Sequence, residues 1–121
     1  MKQPVQVLIV DDQHAARLGL KVLLAFFPEI EIVGEAGDGQ QAVQVAAELQ
    51  PDVVLMDVQM PLMDGLEATT QIKRHCPTVK VIVLTMYPGS RAAALRAGAD
   101  GFLLKGAGVE EIQAAILGVV A

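Results

Sequence analysis

Four consecutive apolar residues, Val53 to Met56, stand between Pro51 and Asp57. A strand sends successive side chains to opposite faces, so an unbroken apolar run is buried on both. Such a strand belongs to a sheet covered on each side by the helices of parallel crossovers. Val5 to Val10 and Val79 to Leu84 have the same character. Each of the three runs stops at a polar side chain: Asp11-Asp12, Asp57 and Thr85.

Helical stripes fill the intervals. Ala15, Leu18, Val22 and Phe26 are spaced as one helix face, closed by Pro28. Ile30, Ile32 and Val33 predict a second strand with polar alternation, placed at an edge. Gly37-Asp38-Gly39 marks a turn, and Ala42, Val43, Ala46 and Leu49 a second helix ended by Pro51. A third helix starts near Asp64-Gly65, carries Ala68, Ile72 and Cys76, and stops at Pro77. Ser90 to Ala97 predicts a two-turn helix with Ser90 as N-cap, Ala92, Ala93 and Leu95 as its stripe, and Gly98 just past its end. Phe102 to Leu104 is a fifth strand ending at Lys105, and Ile112, Ala115, Ile116 and Val119 stripe a last helix.

Five β-α alternations predict one α/β domain over residues 1–121. The expected form is a flavodoxin-like (βα)5 doubly wound sheet of five parallel strands in the order 2-1-3-4-5. Hydrophobic residues make up 53% and aromatics 3%, so the core is aliphatic. A net charge of -5 argues against a nucleic-acid surface on this segment. The single Cys76 excludes an internal disulfide and suits a reducing cytoplasm. No apolar run approaches the roughly 18 residues of a membrane span. The stretch from Met1 to Asp12 enters a strand at once, with no room for a signal peptide. The apolar end, Gly118 to Ala121, reads as a cut inside or just after a final helix, with more protein following.

Parallel strands end on one side of a sheet, so Asp11, Asp12, Asp57, Thr85 and Lys105 are expected on a common rim. The boundary between strands 1 and 3 is the topological switch point, where such sheets bind ligands. Singly, Asp12 fits a helix cap, Thr85 a strand residue and Lys105 a solvated charge. Together they are complementary. Three close carboxylates repel by roughly 1 to 4 kcal/mol per pair at intermediate dielectric. A hard cation such as Mg²⁺ takes carboxylate oxygens, and metal, ammonium and hydroxyl donor together stabilise a phosphoryl group in transfer. Asp57, central on the middle strand, is the candidate nucleophile. No Gly-rich nucleotide loop is present, so a nucleotide is not implied.

VLIVDD, VVLMDVQMPLMDG, VIVLT and ALRAGADGFLLK, in this order and spacing, resemble the receiver domain of bacterial two-component response regulators. LTMY and LRAGADGFLLKG resemble the NarL/FixJ group in particular. The resemblance implies a phosphorylation-controlled signalling module, not an enzyme beyond its own phosphorylation and dephosphorylation. It implies that Asp57 accepts phosphate from a sensor histidine kinase in a Mg²⁺-dependent reaction. Asp12 would ligate Mg²⁺ directly and Asp11 mainly through water, with the Gln59 backbone carbonyl completing the protein's share. Thr85 and Lys105 would hold the phosphoryl group. Phe102 falls at the switch aromatic, often Tyr in the family, that turns inward when Thr85 moves. The resemblance further implies control of transcription through a helix-turn-helix DNA-binding domain beyond this chain. A homodimer on phosphorylation is expected through the first and last helices, whose stripes are the longer ones. Two features depart from the family pattern: Gly106 follows the lysine where Pro is frequent, and the Thr85–Gly98 segment is a residue or two short.

Three other classes compete. A haloacid-dehalogenase-type phosphohydrolase wants a second Asp where Gln59 stands, and a cap domain for which there is no length. A flavodoxin-like cofactor carrier wants aromatic rings around a phosphate loop. A phosphate-independent receiver-like scaffold is opposed by the complete Asp, Thr and Lys set. His14 and His75 read as surface residues, Cys76 as a packed helix residue, and Met60 and Met63 as loop residues covering the site.

Overall fold

In the computed structural model, which describes residues 3–121, the apolar runs pair into one five-stranded parallel sheet. Met1 and Lys2, part of the stretch read above against a signal peptide, lie outside the described residues. Strands β1 (Val5–Val10), β2 (Ile30–Ala36), β3 (Val53–Met56), β4 (Lys80–Thr85) and β5 (Gly101–Leu104) stand in the order β2-β1-β3-β4-β5. This is the flavodoxin-like order expected from the alternation. Helices α1 (His14–Leu24), α2 (Gly39–Leu49), α3 (Gly65–His75), α4 (Arg91–Arg96) and α5 (Val109–Val120) follow the strands in turn. Among the described residues no helix is long and apolar enough to cross a membrane.

The period of two along each strand builds two cores. Leu8, Val10, Val54, Met56, Val81 and Val83 pack with Ala42 and Ala46 of α2, Ala68 and Ile72 of α3, and Ala94 of α4. Val7, Ile9, Val53, Leu55, Ile82 and Leu84 pack instead with Leu24 of α1 and with Ile112 and Ile116 of α5. The three central strands are therefore apolar on both sides because both sides are covered. Short alanines on α2, α3 and α4 let those helices lie close to the sheet. Edge strand β2 holds an extra residue at Val33, where the pairing shifts from Val7–Ile32 to Leu8–Gly34.

Two expectations need correction. The first helix is expected to carry its stripe through Phe26 and close at Pro28, but it ends short of Phe26, and Ala15, Leu18, Val22 and Phe26 all lie exposed, Phe26 at 79%. Helix α1 stops at Leu24 and packs through Leu20 and Leu24, with Phe27 just beyond its end. Apolar residues lie on two faces of this helix, so spacing alone does not choose between them. The short helix also differs. It runs Arg91–Arg96 with Ser90 at the N-cap as expected, but a 3-10 turn over Pro88–Ser90 leads into it and the Ser90 side chain makes no capping bond. The residue it buries is Ala94, not Ala92 or Leu95. Gly98, at φ 102°, follows the helix end in the left-handed region that glycine tolerates. Elsewhere the turn chemistry holds: Asp38 and Asp64 cap α2 and α3, accepting from Gln41 N–H and Glu67 N–H.

Candidate functional site

The carboxyl ends of β1 and β3 bring three acids together. Asp11, Asp12 and Asp57 each place a carboxylate oxygen within 4.8 Å of the others. Asp11 and Asp57 are buried, at 2% and 8% exposure, and Asp12 is exposed. Asp12 is not the cap of α1, since Gln13 holds that position. Lys105, just past β5, reaches across the rim. Its Nζ lies 2.6 Å from Asp11 Oδ2 and 3.3 Å from Asp57 Oδ2.

Each partner of Asp57 has a structural cause. Its N–H donates to Val10 O on β1 at 3.0 Å, which ties the end of β3 to the end of β1. Val58 N–H donates to Asp57 Oδ1 at 2.8 Å, leaving Oδ2 toward Lys105. Burial pushes the Asp57 carboxyl above its ordinary value, and Asp11 adds to the shift while Lys105 opposes it. Burial opposes the charge on Lys105, but the hydrogen bond to Asp11 and the attraction of both carboxylates outweigh it. The ammonium is held above its ordinary value and stays charged.

Three carboxylates and one ammonium leave two negative charges in a partly buried pocket. The donors are all oxygen, with neither thiolate nor imidazole among them. That set fits a hard divalent cation of the Mg²⁺ type.

The loop from Val58 to Asp64 is pinned at both ends. Gly65 N–H donates to Val58 O at 2.7 Å, and Gly39 N–H at the start of α2 donates to Met63 O at 3.0 Å. Between them Leu62 takes φ 69°, a left-handed conformation a branched residue rarely adopts, closed by Met63 N–H to Pro61 O at 2.8 Å. Met60 and Met63 do not merely cover the site: both pack against the core beneath α2 and α3.

The other expected residues are placed less directly. Thr85 ends β4 and is fully buried, but its Oγ1 accepts Tyr87 N–H at 3.2 Å and makes no hydrogen bond with Asp57. Gln59 is exposed in the loop, two residues after Asp57. Phe102 is half-buried on β5, paired with Val83, and its ring lies under the Arg91 guanidinium at 5.8 Å. His14 and His75 are exposed, and Cys76 is buried at the end of α3. Arg17 escaped the sequence reading. Its guanidinium donates to Asp11 O at 2.6 Å and pairs with Glu35 at 2.9 Å. Neither partner is within a helix turn of Arg17, so no local spacing marks it.

The sequence profile of the response regulator receiver domain matches residues 7–117. The chain is a receiver domain. Its relatives include the response regulator protein VraR of Staphylococcus aureus, 42% identical over 114 residues. That match covers 93% of this chain and 54% of VraR, so the chain spans about half the length of that relative. Among solved structures, the receiver domain of the putative response regulator NarL from Mycobacterium tuberculosis superposes with a TM-score of 0.91 at 33% identity. It covers 97% of this chain and 96% of that one. A CheY from Borrelia burgdorferi, solved with CheX, BeF3 and Mg²⁺, gives a TM-score of 0.89 at 25% identity and covers 98% and 91%. Receiver domains are signalling domains of two-component response regulators, and the relatives place this one in the LuxR/NarL group. Response regulators receive phosphate from sensor histidine kinases, and receiver domains bind Mg²⁺ at an acidic pocket; here Asp11, Asp12 and Asp57 form the acidic cluster.

Proposed function

We propose that this receiver domain, in the cytoplasm, takes a phosphoryl group onto Asp57 from a sensor histidine kinase, in a Mg²⁺-dependent reaction. One observation carries the reading: Lys105 bridges Asp11 and Asp57 where three carboxylates converge at the switch point. In the transfer, Asp57 Oδ2 forms a bond to phosphorus while the donor's bond to phosphorus breaks. Buried carboxylates repel an incoming phosphoryl group, and Lys105 supplies the chain's own positive charge against that repulsion. Asp11, Asp12, Asp57 and the Gln59 carbonyl would hold Mg²⁺, which supplies charge neutralisation of the transferring oxygens. Thr85 would turn its hydroxyl toward the phosphoryl oxygens, exchanging its contact with Tyr87 N–H for one with them. That exchange would link phosphorylation to the Met86–Tyr87 segment and, through it, to Phe102 and Arg91. Phe102 has no hydroxyl, so its part in the switch rests on burial.

The test is whole-protein mass after incubation with acetyl phosphate. With Mg²⁺ the expected product carries one phosphoryl group; with a chelator in its place the mass stays unchanged. A mass gain independent of divalent cation would sink the mechanism.

The output belongs to the remainder of a longer protein. The LuxR-family relatives support control of transcription through a helix-turn-helix domain beyond residue 121. Self-association through α1 and α5 is supported by an outward apolar surface: Leu18 and Val22 on α1, 49% and 55% exposed, and Phe26 just past its end, 79% exposed. Val22→Glu should abolish a phosphorylation-dependent dimer, read by light scattering, while phosphorylation proceeds normally. A dimer that survives would place the contact elsewhere.

A further inference from the structure

The Asp11 residue is fixed on every side. Its N–H donates to Ala36 O on β2 at 3.1 Å. One carboxylate oxygen accepts Gln13 N–H at 2.9 Å and the other Lys105 Nζ at 2.6 Å. Its carbonyl accepts Arg17 Nη1 at 2.6 Å. Asp12 is different. It is exposed, and among the described residues its carboxylate takes no hydrogen bond, yet it lies within 4.8 Å of the other two acids. The backbone must therefore aim it.

The Asp11–Asp12 peptide plane decides that aim, and Arg17 holds its oxygen. Arg17 is itself held: Nε pairs with Glu35 Oε1 at 2.9 Å, and Lys21 Nζ takes the other Glu35 oxygen at 2.8 Å. The guanidinium meets the two acceptors with two nitrogens in a rigid planar fork, Nε on Glu35 and Nη1 on Asp11 O, which fixes the direction of both bonds. The chain thus runs from edge strand β2 through Glu35 and Arg17 to the peptide that carries Asp12.

We propose that Arg17 is a positioning residue for the acidic site, setting the Asp11–Asp12 peptide so that Asp12 faces Asp11 and Asp57. The proposal rests on the Mg²⁺ reading above and adds a residue to it. Its signature is a sign. Removing a cation beside an acidic site strengthens dication binding by electrostatics alone. Removing a positioning residue weakens it, by about ten-fold or more for groups that orient ligands from behind.

The experiment is calorimetric titration of the folded domain with MgCl2, for wild type, Arg17→Met, Arg17→Lys and Lys21→Met. Arg17→Met keeps the apolar stem and should lose about ten-fold in affinity. Arg17→Lys should also lose affinity, since its single Nζ lacks the fixed pair of nitrogens, Nε and Nη1, that spans Glu35 and Asp11 O. Lys21→Met removes an equal charge from the same Glu35 and should lose none. Unchanged or tighter binding in Arg17→Met overturns the proposal, as does an equal loss in Lys21→Met. If Arg17→Met does not fold, Arg17→Lys decides alone, and wild-type affinity in it overturns the proposal. A wild type that binds no Mg²⁺ instead defeats the metal reading itself.

Discussion

Lys105→Met is expected to slow phosphorylation of the domain by roughly 10²- to 10³-fold, the usual loss when one preorganised charge-stabilising donor is removed. The geometry gives the reason. Lys105 Nζ is 2.6 Å from Asp11 and 3.3 Å from Asp57, and the side chain is largely buried. Methionine matches its length and packing but brings no charge. The two buried carboxylates then face each other uncompensated, and a phosphoryl group would add to their repulsion. The same change should destabilise the metal-free domain. Because the folded ammonium is held above its ordinary value of 10.5, its stabilisation is complete at neutral pH and is lost only as pH rises through that range. Mg²⁺ binding should survive, since a dication gains where a cation is lost. The measurement is the rate of mass gain with acetyl phosphate and Mg²⁺, at a temperature where the variant is folded. A wild-type rate would reduce Lys105 to a structural ion pair.

Gly65→Ala is expected to lower the unfolding midpoint by on the order of 10 °C. Gly65 opens α3 with its Cα against the Asp57 backbone, and a methyl there would collide with the Asp57 carbonyl oxygen and crowd Met56 Cγ. Neither side yields easily. The Gly65 N–H is bonded to Val58 O at 2.7 Å, and the Gly65 carbonyl accepts Thr69 Oγ1 at 2.7 Å. Relief requires α3 to retreat or the Asp57–Val58 peptide to turn, and turning takes Val58 N–H away from Asp57 Oδ1. Overpacking against flexible side chains costs about 1 to 3 kcal/mol, and backbone contact belongs at the top of that range. About 4 °C per kcal/mol is usual near this chain length. Gly118→Ala is the contrast: a Cβ there meets nothing within 4 Å, and the helical setting favours alanine by up to about 1 kcal/mol. Thermal circular dichroism on both variants decides. A Gly65→Ala midpoint equal to that of wild type would contradict the close approach of α3 to Asp57.

Much of this was legible because strand ends are simple signals. The runs ending at Asp11, Asp57 and Thr85 are apolar on both faces, and only a doubly covered parallel sheet accommodates them. What was not legible depends on partners distant in sequence. The buried face of α1 is set by the sheet beneath it, and its sequence offers Leu18 and Val22 as readily as Leu20 and Leu24. In α4, six residues are too few for periodicity to fix which face is buried. Gly65 reads as a turn marker, and its approach to Asp57 exists only once β3 and α3 are folded back. Arg17 and Glu35 are eighteen positions apart on a helix and an edge strand, and only the fold joins them.

The central claim is that Asp57 is the acceptor and that the acidic cluster makes the transfer depend on a divalent cation. Peptide mapping after treatment with acetyl phosphate, with the acyl phosphate trapped by borohydride reduction, tests both parts at once. The account predicts modification of Asp57 alone, present with Mg²⁺ and absent with chelator, and no modification of Asp57→Asn. Modification at another carboxylate, or a phosphorylated Asp57→Asn protein, would contradict it.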